Sequence, residues 1–494
     1  MKKGFNNDIY LKKQTKEIKK RMKQFDNKLY LEFGGKLFDD QHASRVLPGF
    51  KSDIKIELIK EFKDDCEIIF VINASDIEKR KVRADYGITY DVEVLRLINK
   101  LVDYGILVNS IVITQYKGQI SADKFKNKLE RNHIKTYIHT STKGYPTDVD
   151  LIVSEEGYGA NPYIETTKPL VLVSAPGPNS GKLATCLSQL YHENKRGVRA
   201  GYAKFETFPV WNLPLKHPIN IAYEAATADL NDMNMIDYFH LEAYNKHTVN
   251  YNRDIEVFPV VKSILEKIGG ESVYKSPTDM GVNMIKEGIV SDDICREASK
   301  KEILRRYYKA RCSYKEGLTE ECTTKRIKLL MNELNITDDD RKVIKAAREK
   351  GEISGVPAFA LELPSGEVVV GRETDVMSAP ASCFINAVKK LAGITDDIYL
   401  ISPGVLEPVI HLKKEIYGDP NAKLNMQDVL LGLSMSETSN PLAKLALEQA
   451  KKFNGMDSHS TVFPFLTDLA VLRHLNINTT SEAEYYLNNL YQEN

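Results

Sequence analysis

The sequence predicts an α/β protein: a mainly parallel sheet in the N-terminal part, a helical middle segment and a smaller α/β C-terminal subdomain. Three observations carry this. Short apolar runs alternate with stretches of helical periodicity through the first half of the chain, the pattern of β-α-β units closing a parallel sheet. From about residue 255 to 351 the pattern is helical and highly charged. From Val356 onward strand and hairpin signals return. The expected division is residues 1–250, 251–355 and 356–494.

Residues 6–24 are polar and lysine-rich and read as an exposed helix. "EIIFVINA" (67–74) reads as a buried strand, "SIVITQY" (110–116) is strand-like, and "IKTYIHT", "DVDLIVS" and "PLVLVSA" are further strand candidates. Between them, "DVEVLRLINKLVDYG" spaces its apolar residues as a helix does and stops at Gly105, and "SADKFKNKLERNH" is a helix with Ser121 at its start. "KSPTDMGVN" carries the signature of a helix start, with Ser276 as cap and Pro277 in the first turn. In the last part, "PAFALELPSGEVVVG" is a hairpin turning at Pro364-Ser365-Gly366. "ASCFINAVKKLAGI" is a helix, while "DIYLIS" and "TVFPFL" are strand-like.

Composition excludes several function classes. Lysine plus arginine and aspartate plus glutamate both total 68, so no global charge favours nucleic acid or an anionic membrane. Hydrophobic residues make up 42% and charged residues 28%, the make-up of an ordinary globular protein. The six cysteines form no CxxC pair, which predicts reduced thiols and a cytoplasmic setting. The charged N-terminus lacks the apolar core of a signal peptide, and no apolar run approaches the ~20 residues that cross a bilayer. His192-Glu193 has no second histidine to complete HExxH, and no zinc site is expected.

The stretch "VLVSAPGPNSGKLATCLSQLYHE" (Val171–Glu193) concentrates chemistry. A strand ends abruptly, a loop of small residues follows, and a helix begins. Loop amides and the positive end of a helix together make an anion cradle. Gly177, Asn179, Ser180, Gly181, Lys182 and Leu183 are the candidate cofactor-binding residues. The match to GxxxxGK[ST] is degenerate: Pro176 holds the first glycine position and Leu183 the position of the magnesium-binding hydroxyl. The expected cofactor is a nucleotide with magnesium, the metal relying on water or another protein ligand.

Downstream, "VRAGYAKFETFPVWN" supplies a second strand carrying Lys204 and Glu206. A loop of this kind, then a helix, then a strand ending in lysine resembles the dethiobiotin-synthetase-like group of P-loop enzymes. That resemblance implies Lys204 as a second phosphate-binding cation and Glu206 as a metal or base carboxylate. "INIAYEAATADLNDMNMID" offers further carboxylates, of which Asp229 is the candidate for holding metal or taking a proton. "YLEFGGKLFDDQHASRVLPGF" brings Gly34, Gly35, Lys36 and Arg45 as candidate substrate-binding residues. His42 is the candidate acid–base group there, since its unperturbed pKa lies near neutrality.

The stretches "DNKLYLEFGGKLFDDQHASRVLPGF", "APGPNSGKLATCLSQLYHENKRG" and "GYAKFETFPVWNLPLKHPINIAYEAATADLNDMNMID", with "YKSPTDMGVN", resemble over nearly the whole chain a bacterial family classed as a domain of unknown function, number eighteen-forty-six. The resemblance implies a multi-domain soluble bacterial protein with an α/β N-terminal part, a helical middle and an α/β C-terminal subdomain. Some members carry the label ATP-dependent peptidase; the missing HExxH gives the peptidase half of it no support here. The expected function is nucleotide or phosphate-ligand binding, with phosphoryl transfer or ligation as the reaction class. The alternative is a non-catalytic phosphate-ligand sensor or scaffold. The expected partner is a small phosphorylated ligand, with a second copy of the chain meeting it through the helical segment.

Overall fold

The computed structural model describes residues 3–83, 87–419 and 422–486. The chain forms two compact units, one of Lys2–Glu224 with Asn231–Ala298, the other of Ala225–Leu230 with Ser299–Asn494.

The first unit is built on a seven-stranded sheet. Its strands are β1 (Leu29–Phe33), β2 (Cys66–Asn73), β3 (Val108–Thr114), β4 (Thr136–Ile138), β5 (Leu170–Ser174), β6 (Gly201–Phe205) and β7 (Gly281–Val282). They lie in the order β7-β6-β1-β5-β2-β3-β4, and every pairing is parallel. Such a sheet is covered on both faces, so its central strands read as unbroken apolar runs rather than alternating ones. All residues of β1, β2 and β5 are buried accordingly. The seventh strand enters from beyond residue 250. Ser276 caps the turn that precedes it by accepting from the Asp279 amide, with Pro277 in the first turn, as the sequence predicts.

The order of the strands creates a switch point. From β2 the chain steps outward to β3 and β4; it then returns to insert β5 between β1 and β2, and leaves in the other direction to β6. Loops that diverge in this way open a crevice at the carboxyl ends of the strands, where α/β proteins take their ligands.

The second unit holds a four-stranded sheet of β8 (Ala358–Glu362), β9 (Val368–Arg372), β10 (Asp457–Ser460) and β11 (Asn478–Ser481), in the order β9-β8-β10-β11. β8 and β9 are the predicted hairpin, with Gly366 at φ +83° in its turn. The helix Ala379–Ala392 follows, capped by Ser378. Apart from β7, helices dominate the stretch from Asn252–Gly269 to Lys342–Ser354.

Four local expectations need correction. "DVDLIVS" is not a strand but the short helix Val149–Ile152. Asp148 accepts from the Leu151 amide at 3.0 Å, and that cap competes with extended pairing. The helix read from Ser121 begins at Ile120, with Gln119 in the cap position. "DIYLIS" is irregular, and "TVFPFL" is irregular up to the helix Leu466–His474. The strand lies just before "TVFPFL", at Asp457–Ser460. Among the described residues no helix is long and apolar enough to cross a membrane.

Candidate functional site

β5 delivers the loop into the switch point. Asn179 stands at φ +55° and Gly181 at φ +91°, while Ser180 between them keeps a negative φ. Alternation of sign curls successive amides toward one concave side, the backbone pattern of a nest. The loop is held from behind. Thr114, at the end of β3, donates to the Ser180 carbonyl at 2.6 Å, and Asn73, at the end of β2, donates to the Asn179 carbonyl at 3.3 Å. With the carbonyls turned to the sheet, the amides are left over. Among the described residues no acceptor takes the N–H of Gly177, Asn179, Ser180, Gly181, Lys182 or Leu183, and no side chain caps the helix Lys182–Lys195. The Ser180 hydroxyl is buried and likewise has no partner. The first amides of a helix have no partner within it, and here they are left to solvent or to a ligand, while the buried Ser180 hydroxyl is unmet.

Two glycines are required by packing here. A Cβ on Gly177 would lie 2.4 Å from the Tyr90 hydroxyl, and one on Gly181 would crowd Thr114 besides demanding the left-handed region.

Beside the nest lies a buried charge cluster. The Lys182 ammonium is 3.9 Å from the Glu32 carboxylate, which also accepts from the Tyr202 hydroxyl at 2.8 Å. Burial lowers the Lys182 pKa, Glu32 pulls it back up, and Lys204 pushes it down again. Lys204 is gripped from two sides, 2.6 Å from Glu206 and 2.5 Å from Asp254. Burial works against its charge, but Asp254, Glu206 and Glu32 outweigh it and raise its pKa. At the rim, Arg253 pairs with Asp232 at 3.4 Å.

Glu206 is the odd member. Its burial, with Asp254 and Glu32 close by, pushes its pKa up to about 7 in spite of Lys204. A carboxyl tuned to neutrality is suited to pass a proton at physiological pH. The shift also carries a stability cost. The folded chain holds this proton between about pH 4.5 and 7 while the unfolded chain releases it, so stability falls as pH rises through that window. Glu206→Gln should remove that part of the pH dependence. At about 1.4 kcal/mol per unit, the variant should gain up to about 3 kcal/mol on wild type between pH 4.5 and 7.5 in urea titrations. Parallel pH profiles for the two proteins would refute the assignment.

Comparison with known proteins places the chain. The model described as "Domain of unknown function DUF1846, N-terminal" matches residues 3–335, and "Domain of unknown function DUF1846, C-terminal" matches residues 339–491. The chain belongs to the DUF1846 family. A "UPF0371 protein" of Clostridium botulinum (strain Alaska E43 / Type E3) is 56% identical over 100% of both chains. A "UPF0371 protein" of Clostridium tetani (strain Massachusetts / E88) is 54% identical, again over 100% of both.

In this DUF1846 chain the remaining candidates lie in several places. Gly34 joins the cluster as packing: a Cβ there would meet the Phe205 carbonyl at 2.7 Å, so the glycine lets β1 and β6 close up next to Glu206. Gly35 and Lys36 belong to a turn wrapped around the fully buried Lys55. The Lys55 ammonium donates to the Gly34 and Lys36 carbonyls and, at 2.9 Å, to Asp40. His42 lies edge-on between the rings of Phe208 (5.5 Å) and Tyr223 (5.2 Å), next to the cluster but within an aromatic box. Arg45 sits half-buried in the last turn of the short helix Gln41–Val46. Asp229 is exposed on the 3-10 turn Ala228–Leu230, which groups with the second unit, and does not join the cluster.

Sequence reading misses Glu32, Tyr202, Asp254 and Lys55. Glu32 leaves a signal, a lone carboxylate inside the otherwise apolar "LYLEF". Asp254 leaves none, because it opens the helix Asn252–Gly269 and is brought to Lys204 by tertiary packing.

The donors do not fit a protein-held magnesium. Leu183 offers no oxygen, the Thr185 hydroxyl donates to the Gly181 carbonyl at 3.0 Å, and Glu206 and Asp254 are engaged by Lys204. Among the described residues no group of three or more histidine, cysteine, aspartate or glutamate side chains is placed to hold a metal ion.

Proposed function

We propose that the chain binds the phosphate of a small phosphorylated ligand, nucleotides included, in the loop that follows β5. The observation that supports this is the set of unmet amides at Gly177–Leu183 with the orphan Ser180 hydroxyl, lying where the strand order opens a crevice. Lys182 supplies the counter-charge: a bound phosphate would compete with Glu32 for its ammonium. Glu206 is the group suited to take a proton from an attacking hydroxyl or water, which makes phosphoryl transfer or phosphate-driven ligation the reaction class.

Titration calorimetry with ATP, GTP and inorganic phosphate tests the binding. Wild type should bind at least one of them, and Lys182→Ala should bind it roughly 10- to 100-fold more weakly, the worth of a charge-assisted hydrogen bond. Equal and negligible binding by both proteins would end this reading.

A second reading has its own support. Lys204 is already held by two carboxylates, and Leu183 gives magnesium no hydroxyl, which suits a sensor that binds without turnover. Sustained product release from a nucleotide panel, lost in Glu206→Gln, would decide for the enzyme.

A further inference from the structure

Away from the loop after β5, beyond the edge strand β7, the first unit has an open cleft of about 750 Å³. That is within the size range of small-molecule sites. Its wall is drawn from separate stretches: the helix Asn7–Lys23, the Trp211 loop, the turn around Lys246 and the segment on either side of β7. These stretches converge with the same sign of charge. Lys20, Arg21, Lys246 and Lys286 face it against only Glu17 and Asp279.

Both carboxylates are engaged, Glu17 with a cation of the same wall and Asp279 next to His240 at 3.7 Å. Glu17 pairs with Lys20 at 3.6 Å, and Asp279 accepts from the Tyr244 hydroxyl at 2.9 Å and the Lys275 amide at 3.0 Å. Two of the cations are steadied by neutral groups. Arg21 donates to the Asp279 carbonyl and Lys286 to the Asn212 carbonyl, each at 2.7 Å. A carbonyl orients an ammonium or guanidinium without cancelling its charge. Among the described residues no ion pair engages Lys246. With Lys20 matched by Glu17, Arg21, Lys246 and Lys286 outnumber Asp279, and an excess of one sign in a concave site raises the local concentration of anions.

We propose that this cleft is a second anion site, taking a small organic polyanion of the phosphorylated or polycarboxylate kind. It is independent of the loop after β5. Trp211, the only tryptophan of the chain, forms part of the wall and packs over Gly281, where a Cβ would meet its ring at 2.3 Å. The protein therefore carries its own reporter.

The experiment follows tryptophan emission of the full chain while inorganic pyrophosphate or citrate is added at constant ionic strength. A saturable change with pyrophosphate alone assigns a phosphorylated ligand, and with citrate alone a polycarboxylate. A response to both assigns the site to polyanions at large. Lys246→Ala/Lys286→Ala, two exposed positions, should weaken the response at least tenfold with the melting curve unchanged. Lys182→Ala should leave it as in wild type. The proposal is overturned by no saturable change with either probe, by wild-type affinity in the double variant, or by loss of the response in Lys182→Ala.

Discussion

Lys204→Met should be among the most damaging single changes in the first unit, costing about 3–5 kcal/mol of stability at pH 7. The ammonium it removes stands 2.6 Å from Glu206 and 2.5 Å from Asp254, with Glu32 adding a third negative charge to its surroundings. A buried ion cluster contributes little net stability when intact, because desolvation offsets attraction. Deleting one member leaves the others charged and unmatched. The surviving carboxyls then gain affinity for protons in the folded chain. Stability of the variant should recover as pH falls below 7 and decline as it rises, more steeply than in wild type. Adding Glu206→Gln and Asp254→Asn should return most of the loss, since the negative charges leave with the positive one. Urea unfolding at pH 5 and pH 8 reads both effects. A variant as stable as wild type at pH 8 would show that the cluster is not desolvated as described.

Arg341→Met should have a comparable effect in the second unit. Arg341 is wholly buried. It pairs with Asp457 at 3.2 Å and donates to the Ser458 carbonyl at 3.2 Å and to the Asn478 carbonyl. Those carbonyls belong to β10 and β11, a parallel pair whose register sets Asp457 against Asn478 and Ser458 against Thr479. One guanidinium therefore ties the two strands together. Methionine fills much of the volume but leaves Asp457 with Lys301 as its remaining cation at 3.2 Å and the Asn478 carbonyl short of a donor, while the Ser458 carbonyl keeps the Thr480 hydroxyl at 3.1 Å, a cost of about 3 kcal/mol. The melting midpoint should fall by roughly 10 °C. Arg341→Lys should rescue only part, because a single ammonium cannot reproduce the planar fork. Full rescue by lysine would mean that charge alone matters here.

The legible and illegible parts of the molecule separate by range. Features that a few neighbouring residues decide could be read: the apolar runs of β2, β3 and β5, the Gly366 hairpin, the Ser276 cap. Short ambiguous segments could not, and "DVDLIVS" shows why. Its apolar residues suit a strand, but the carboxylate of Asp148 reaches the Leu151 amide and tips the balance to a helix. The site divides in the same way. The strand–loop–helix course around Gly177–Lys182 could be read because its parts are contiguous. The company kept by Lys182 and Lys204 could not, because Glu32 lies about 150 residues earlier in the chain. It reaches Lys182 only because β1 sits between β5 and β6. Strand order is a property of the whole sheet, and local pattern does not encode it.

That order also has a consequence for how the protein is made. β2, β3 and β4 are consecutive neighbours and can associate as soon as they leave the ribosome. β1, made first, has no partner among them; both of its neighbours, β5 and β6, come later. At about 5–20 residues per second, the nascent chain must carry that apolar ribbon unpaired for roughly ten seconds, until Leu170–Ser174 emerges to wedge between it and β2. Throughout that wait the oldest part of the protein is the part most in need of shelter.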